Sequence, residues 1–365
     1  MKKFLSLLAP ITLFAGPCCM ALDDPNCYTY AVNPPLVSND CCVWGGRFDF
    51  LYWQPHAEGN PAAIIVGLQT NGGAKFEATP VSLDLQDYKY EYKAGFRIGI
   101  DAGWPCNEWR IAFNWTHYLH DFFYSNGVGS GTSPTTPFLV ILSPYLNANL
   151  TVSDSNLKAH WQVELEQADL VMNREFYVGH KVTLKPYGGL RALFLNQKSS
   201  SFNQLFFGNG LISESTATIS TRLRNNFKGV GIVAGLASTW DMMCGLGLYG
   251  DFSTALLYGK NKSSLSGAAT NVATTVALST LESNYRPNVV RTIVDLAFGV
   301  QWNHFLLGDS NGLLQLKAGW ELHQYFRQVN FANFSLGQIV LSPNANQSSN
   351  DLSFQGLVLS ASFTY

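Results

Sequence analysis

The residues of this sequence that could do chemistry are charged side chains that recur at every second position of long segments. In residues 88–103, for example, Lys89, Glu91, Arg97 and Asp101 alternate with apolar or aromatic residues. Because successive side chains of a β-strand point to opposite faces, this segment has one charged and one apolar face. Charged faces that enclose a pore determine which ions pass, and a near balance of the two signs predicts a weak preference. The candidate pore-lining residues are Arg47, Asp49, Lys89, Glu91, Lys93, Arg97, Asp101, Arg110, Glu164, Lys185, Arg191, Asp251, Arg291, Asp295, Lys317 and Glu321.

Acid–base catalysis is the second kind of chemistry that the residue types allow. His117, His120 and Asp121 lie near the end of one segment, Asp154 lies on a nearby loop, and His323 belongs to a distant segment. Hydrolysis needs such a group within hydrogen-bonding reach of a nucleophile or a substrate. The sequence shows no nucleophile motif, phosphate-binding loop or metal-ligand spacing. We therefore expect no enzymatic activity, cofactor or metal, and a hydrolase is only the third hypothesis.

The elements that position these residues are ten alternating segments of unusual length. A strand that crosses a bilayer needs about nine to eleven tilted residues, whereas strands of soluble proteins usually end after about five or six. The segments are Trp44–Gln54, Tyr88–Gly103, one from Glu108, about Leu157–Val178, Lys181–Gln197, Arg222–Trp240, Gly245–Lys260, Val290–His304, Gly312–Arg327, and Leu352 to the end.

The fourth segment shows a change in phase. Its apolar residues occupy odd positions from Trp161 to Leu165 and even positions from Ala168 to Met172. A β-bulge shifts the alternation by one residue. We therefore expect a bulge between the two halves, with both apolar sets facing outward and Glu164 facing inward.

The connections alternate between long and short. Long polar connections cover about residues 55–87, 125–156, 198–221, 261–287 and 328–351, and the others are tight turns. Outer-membrane barrels have long loops outside and short turns in the periplasm. The pattern predicts an all-β, antiparallel up-and-down transmembrane barrel of about ten strands. Further strands within 61–85 or 138–152 would raise the count to about twelve to sixteen.

The composition agrees with a wall between lipid and a polar interior. Charged residues make up 13% of the chain and aromatic residues 13%, with 32 glycines, whereas soluble domains contain about 25% charged residues. The net charge of −2 argues against a nucleic-acid partner. Aromatic residues near segment ends predict two interfacial belts: Tyr52, Tyr88, Tyr90, Trp109, Tyr118, Trp161, Trp240, Tyr258, Trp302 and Phe326.

The N-terminus has the pattern of a secretory signal peptide. Lys2 and Lys3 precede an apolar stretch over residues 4–14, and Cys19-Met20-Ala21 suits cleavage. We predict a signal peptide at 1–21, a periplasmic segment at 22–43 and the barrel at 44–365. A chain that is exported without a later apolar helix can enter a membrane as a closed barrel, which predicts the bacterial outer membrane.

The cysteines left after cleavage are odd in number: Cys27, Cys41, Cys42, Cys106 and Cys244. All five fall on the periplasmic rim of the expected barrel. In an oxidising compartment at least one thiol stays free or bonds to another chain. Two interpretations stand: scattered thiols with one bridge inside the chain, or disulfides to envelope proteins or to a second copy of the chain.

Six stretches, taken in order, carry a family resemblance: Arg47–Pro55, Tyr90–Gly99, Lys185–Arg191, Asn225–Gly231, Ala255–Gly259 and Gln355–Leu357. They resemble the major-outer-membrane-protein-like family of chlamydia-related bacteria and Legionella. The resemblance implies an abundant outer-membrane β-barrel with a porin-like role. Such barrels usually end in Phe, and this chain ends in Tyr365, which keeps an aromatic ring; Phe363 and Tyr365 are the candidate assembly signal.

Two functional hypotheses precede the hydrolase. The first is a porin-like barrel in contact with outer-membrane lipid that lets small hydrophilic solutes pass and serves as an abundant structural protein of the envelope. The second is a surface adhesin or structural protein without an open pore. A lumen of about eight strands holds only side chains, whereas about sixteen leave an aqueous channel, so the lumen width separates the two.

Overall fold

The computed structural model describes residues 42–70, 78–104, 109–128, 138–142, 146–148, 154–178, 181–209, 212–243, 245–271, 277–305, 312–337 and 340–365. Within these ranges the chain forms sixteen β-strands. No helix in the described ranges is long and apolar enough to cross a membrane. The strands are β1 (Val43–Ala57), β2 (Pro61–Thr70), β3 (Ala78–Asp87), β4 (Lys93–Trp104), β5 (Trp109–Val128), β6 (Phe138–Leu142), β7 (Leu146–Ala148), β8 (Asp154–Arg174), β9 (Phe176–Val178), β10 (Val182–Asn209), β11 (Ile212–Met243), β12 (Leu246–Asn271), β13 (Ala277–Tyr285), β14 (Asn288–Phe305), β15 (Leu313–Gly337) and β16 (Val340–Thr364).

Ten of these strands close into an antiparallel barrel, which confirms the predicted fold and strand number. Around the wall the order is β1, β4, β5, β8, β10, β11, β12, β14, β15 and β16. The first and last strands pair with each other, for example Phe48 with Ala361, so the sheet has no free edge. Closure satisfies the backbone hydrogen bonds that lipid cannot satisfy.

The extracellular connections contain more β-structure than we expected. β10 and β11 continue as one hairpin through most of the predicted loop 198–221, and β15 and β16 do the same through 328–351. Further strands do form within residues 61–85 and 138–152, but outside the barrel wall: the hairpin β2–β3 pairs with β6 as a separate three-stranded sheet. The short strands β7, β9 and β13 pair at the sides of β15, β10 and β12.

The expected bulge in β8 is absent. The strand pairs with β10 in unbroken register from Asn173 to Asp154. Trp161, Val163 and Leu165 are therefore inside the barrel, where each is 0% exposed. The hydrophobic residues change face along β8 because the lumen itself changes from polar to apolar, and the backbone keeps its phase.

The second segment also begins later than predicted, since β4 starts at Lys93 and residues 88–92 are not a strand. Tyr88 turns into the barrel and is 3% exposed. Three aromatic residues that we assigned to interfacial belts, Tyr88, Tyr118 and Trp161, are buried in the lumen instead. Trp109, Trp240, Tyr258 and others of that set do face outward.

Several predictions concern residues outside the described ranges. They are the signal peptide at 1–21, most of the periplasmic segment at 22–43, and Cys27, Cys41, Cys106 and Cys244. Cys42 is described and forms no disulfide with another residue of the described ranges. The division of the chain and the disulfide hypotheses therefore stay predictions.

Candidate functional site

The lumen is the candidate site, and a layer of buried charged residues crosses it at mid-height. We call Asp49, Arg97, Asp169, Arg191, Asp295, Glu321 and His323 the ionic layer. Arg97 donates two parallel hydrogen bonds to Glu321, of 3.0 Å from Nη1 to Oε1 and 2.9 Å from Nη2 to Oε2. It also lies 3.1 Å from Asp49. Paired bonds of this kind are among the strongest and most directional in proteins.

The second half of the ionic layer is built around Arg191. This guanidinium donates to Asp295 at 2.6 Å and to both oxygens of Asp169, at 2.7 and 3.1 Å. His323 joins the halves, since Nδ1 lies 2.8 Å from Asp295 and Nε2 lies 3.0 Å from Glu321. Only an imidazolium can donate from both nitrogens at once.

The strand positions show that these bonds span the lumen. Arg97 is on β4 and Glu321 is on β15, with β1 and β16 between them in the wall. Arg191 on β10 and Asp295 on β14 are likewise separated by two strands, β11 and β12. The ionic layer therefore ties non-adjacent parts of the wall together and fills the centre of the barrel.

Above the ionic layer, toward the long hairpins, the lumen is filled by apolar side chains. The aromatic rings contact one another, with centroids 5.4 Å apart for Tyr118 and Phe354 and 5.4 Å for Phe122 and Trp161. Each side chain is at most 3% exposed. This apolar layer consists of Leu51, Trp53, Tyr118, Phe122, Trp161, Val163, Leu165, Leu193, Leu195, Phe227, Leu257, Ile293, Tyr325 and Phe354.

Polar groups cap the apolar layer on its extracellular side. The register of β15 shifts after Tyr325, and Arg327 has a φ of 55°. The carbonyl of Gln328 then accepts hydrogen bonds from Gln197 at 3.1 Å and Asn225 at 2.7 Å, across the lumen. Tyr88 enters from its loop beside Ser199, at 3.3 Å, and burial raises the pKa of its hydroxyl to about 12.

Below the ionic layer the lumen holds a polar cavity of about 320 Å³. Arg47, Asp101, Arg110, Lys185, Asp251 and Lys317 line it. Most have a partner: Arg110 lies 3.1 Å from Asp101, and Tyr187 donates to Asp251 at 2.8 Å. We call this space the periplasmic cavity, because its other lining residues, such as Thr364, lie at the end with the short turns.

The rim of this cavity carries one strongly held carboxylate. Glu175, in the turn between β8 and β9, lies 2.5 Å from the Lys185 Nζ and accepts from the Tyr177 hydroxyl at 3.1 Å. Burial by itself raises the pKa of the Glu175 carboxyl. The charges of Lys185 and Arg110 and its hydrogen bonds outweigh burial and lower the pKa to about 2.

The structure brings most of the candidate pore-lining residues to the lumen, but in separate layers. Asp49, Arg97, Arg191, Asp295 and Glu321 belong to the ionic layer, whereas six others line the periplasmic cavity. Arg291 is inside and 7% exposed, one inward position beyond Ile293. Lys93 lies at the end of β4, 3.0 Å from Glu91.

Three assignments to the lumen were wrong. Glu164 faces outward, on the same side of β8 as Leu170 and Met172, and accepts from Asn196 at 3.0 Å. It was misplaced because the supposed bulge would have turned it inward. Lys89 and Glu91 lie outside the strand and pair with each other in solvent, with exposures of 84% and 47%.

Sequence reasoning missed Asp169 and the whole apolar layer. The positions of Leu170 and Met172 on the outer face of β8 place Asp169 inside, so the alternation contained this information. The apolar layer was missed because Leu51 and Trp53 continue the face of Arg47 and Asp49, and a polar lumen was assumed throughout.

The histidine cluster does not converge. His117 is on the outer face of β5, 3.1 Å from Glu166, whereas His120 points to the other face, where its Nε2 contacts the Ala94 carbonyl. His323 is enclosed in the ionic layer. Asp121 pairs with His160 at 2.7 Å, and Asp154 begins β8. The described residues contain no cluster of three His, Cys, Asp or Glu that could hold a metal.

The candidate assembly residues lie where the barrel closes. Tyr365 exchanges backbone hydrogen bonds of 2.8 Å with Trp44, and the side chains of Phe363 and Tyr365 are 41% and 61% exposed. Both rings therefore face outward at the periplasmic end.

The chain is similar to several solved structures. The outer membrane protease OmpT from Escherichia coli is 11% identical, with 88% of this chain and 96% of that chain covered and a TM-score of 0.38. A Pseudomonas aeruginosa FadL homologue is 9% identical, with 93% and 95% covered and a TM-score of 0.23. The Pseudomonas putida toluene transporter TodX is 7% identical, with 90% of each chain covered and a TM-score of 0.26. A comparison with curated protein sequences gives no match.

A protein-family model described as Legionella pneumophila major outer membrane protein precursor matches residues 37–365. This range contains all ten barrel strands and the three-stranded sheet. The chain is therefore an outer-membrane β-barrel protein that belongs to the Legionella major outer membrane protein family.

Proposed function

We propose that this barrel is a structural protein of the bacterial outer membrane whose lumen is closed at rest and whose long hairpins extend from the cell surface. The proposal rests on one observation: two successive layers of side chains each close the lumen. The ionic layer crosses the barrel through Arg97 and Glu321, and the apolar layer above it contains side chains that are at most 3% exposed.

The width of the barrel supports the same conclusion. A barrel of about eight strands holds side chains alone, whereas about sixteen strands leave an aqueous channel. With ten strands and fourteen large apolar side chains in the upper half, there is little room for a hydrated solute. The proposed role therefore lies in the wall and the surface hairpins.

Porin-like passage of small hydrophilic solutes is the second candidate, and the periplasmic cavity favours it. About 320 Å³ of polar space extends from the short turns to the ionic layer. A purely structural barrel has no need for such a space. Under this candidate the apolar layer moves aside for short periods, and solutes then cross from the long hairpins to the cavity.

A proteoliposome swelling assay separates the two candidates. The full chain is refolded into liposomes, its insertion is checked by heat-modifiable migration, and the liposomes are diluted into sugars of increasing size. A closed barrel gives the swelling rate of protein-free liposomes for every sugar. Swelling that falls with increasing sugar size would support passage and reject the closed resting state. A general porin in parallel liposomes is the positive control.

A further inference from the structure

The outer face of three neighbouring strands carries a concentration of cations directly beyond the apolar belt. On β11 the exposed belt residues run from Trp240 to Val230, and the next outward residue is Lys228. On β12 the belt ends at Tyr258, and Lys260 and Lys262 follow on the same face. We call Lys198, Arg222, Arg224, Lys228, Lys260 and Lys262 the basic patch.

The height of the patch follows from strand geometry. From Trp240 to Val230 the chain advances about 33 Å, or about 23 Å along the membrane normal at a tilt near 45°. The apolar band of outer-membrane barrels is about 25 Å tall. The basic patch therefore begins at the level of lipid headgroups, on the side of the long hairpins, which is the outer leaflet.

The cations are close to one another across the strands. Lys228 on β11 is directly opposite Lys260 on β12, and Arg224 is opposite Lys198 on β10. The patch holds six of the 23 Lys and Arg residues of the chain. Such density on one face is unfavourable unless anions lie between the side chains.

The protein supplies little negative charge here. Residues 182–209, 219–240 and 252–271, which contain the basic patch, include no Asp or Glu. On the neighbouring strand β8 the outward carboxylate of Glu164 accepts a hydrogen bond from Asn196 at 3.0 Å. Among the described residues, none of the six forms a salt bridge with a carboxylate. Their described side-chain contacts are neutral: Lys198 donates to Gln162 at 2.9 Å, and Lys228 lies 5.6 Å from the Phe194 ring centre.

We propose that the basic patch binds the phosphate groups of phosphorylated lipids in the outer leaflet, while their acyl chains lie on the apolar belt below. Clusters of Lys and Arg next to a membrane attract anionic headgroups. Belt residues under the patch, such as Ile232 and Tyr258, are each 63% exposed and offer a surface to the chains. The patch lies on the outer face of the wall, so lipid can bind there whether the lumen is open or closed.

The test measures binding of bisphosphorylated lipid A to the detergent-solubilised full chain by native mass spectrometry. The patch variant is Arg224→Gln, Lys260→Gln and Lys262→Gln. The matched control is Lys89→Gln, Lys93→Gln and Lys181→Gln, which removes the same charge from exposed or half-exposed sites before and at the start of β4 and in a periplasmic turn, away from the three strands of the patch. We expect binding to weaken about tenfold or more in the patch variant and to stay unchanged in the control.

Dephosphorylated lipid A with the same acyl chains should bind the wild type weakly, and added salt should weaken binding of the phosphorylated lipid. Equal binding by the patch variant and the wild type, equal loss in the control, or equal binding of both lipids would overturn the proposal. Circular dichroism and heat-modifiable migration check that each variant folds. If the patch variant fails to fold, the wild type with the two lipids and a salt series still decides the outcome.

Discussion

The Arg97–Glu321 pair shows what a buried ion pair does in this barrel. Both side chains are largely buried, with exposures of 14% and 10%, so each has lost most of its water. Desolvation offsets much of the attraction in such a pair, but the removal of one partner leaves the other charge buried and uncompensated. The intact pair therefore adds little net free energy of folding, whereas the removal of one partner is strongly destabilising.

We expect Arg97→Met to lower the free energy of unfolding by about 3 kcal/mol. The reason is that Glu321 and Asp49 lose their shared cation, and Trp53, whose ring centre lies 5.8 Å from the guanidinium, loses a contact. Urea unfolding in phospholipid vesicles, followed by tryptophan fluorescence, measures the change. Arg47→Met is the control, since Arg47 is 35% exposed. Equal effects of the two substitutions would contradict this description of the ionic layer.

Glu175 makes stability depend on pH at the periplasmic rim. Its pKa in the folded protein is about 2, below the usual value for Glu of about 4.3. A carboxyl with a lowered folded pKa stabilises the protein above its unfolded pKa, and this contribution disappears as the pH falls toward the folded pKa.

We therefore expect Glu175→Gln to cost up to roughly 3 kcal/mol at neutral pH, and the difference from wild type to shrink between about pH 5 and pH 2. Unfolding curves across this range provide the measurement. The control is Glu58→Gln in the extracellular turn. A cost for Glu175→Gln that stayed constant down to pH 2 would show that Lys185 and Arg110 do not hold this carboxylate.

At the level of the elements, β8 gives the sharpest contrast between sequence and structure. Its register with β10 is unbroken, so even positions face lipid and odd positions face the lumen. In lipid vesicles we expect Val163→Cys to resist a water-soluble maleimide, because Val163 is 0% exposed. Gln162→Cys, on the outer face, should react with a bimane reagent and show quenching by spin-labelled lipid. Quenching of a label at residue 163 by spin-labelled lipid would instead show that Val163 faces lipid, as a β-bulge in β8 would require.

The ten strands and their order were predictable because each strand keeps one face apolar over about the height of the apolar band of an outer-membrane barrel. The outward set Phe48, Phe50 and Tyr52 on β1 is an example. The interior was less predictable. Leu51 and Trp53 follow Asp49 on the same face of β1, and the local sequence does not indicate whether such apolar residues contact lipid or pack against one another in the lumen. Cross-lumen partners such as Arg97 and Glu321, 224 residues apart, depend on closure of the whole sheet.

The β-structure above the membrane was not predicted from the sequence either. The alternation weakens in residues 198–221 because polar residues occupy both odd and even positions there, so hydrophobic periodicity could not reveal that β10 and β11 continue. Backbone pairing continues where the side-chain pattern fades. The same holds for β15 and β16.

At the level of the whole molecule, the barrel combines an apolar outer surface with an interior in three parts. The periplasmic cavity is polar, the ionic layer spans the middle, and the apolar layer fills the side of the long hairpins. A membrane wall of this kind holds its shape through contacts across the lumen as well as through strand pairing. These contacts are the basis of our proposal of a wall protein whose lumen is closed at rest.

Ionic current through single wild-type barrels in a planar bilayer tests this closure most directly, because hydrated ions are smaller than any sugar. The barrels are delivered to the bilayer by fusion of vesicles, and heat-modifiable migration of protein from those vesicles verifies that it is folded and inserted. We expect the current of a protein-free bilayer, with no steady steps in concentrated potassium chloride. Steady conductance steps that grow in proportion to the salt concentration would show an open lumen and contradict the account.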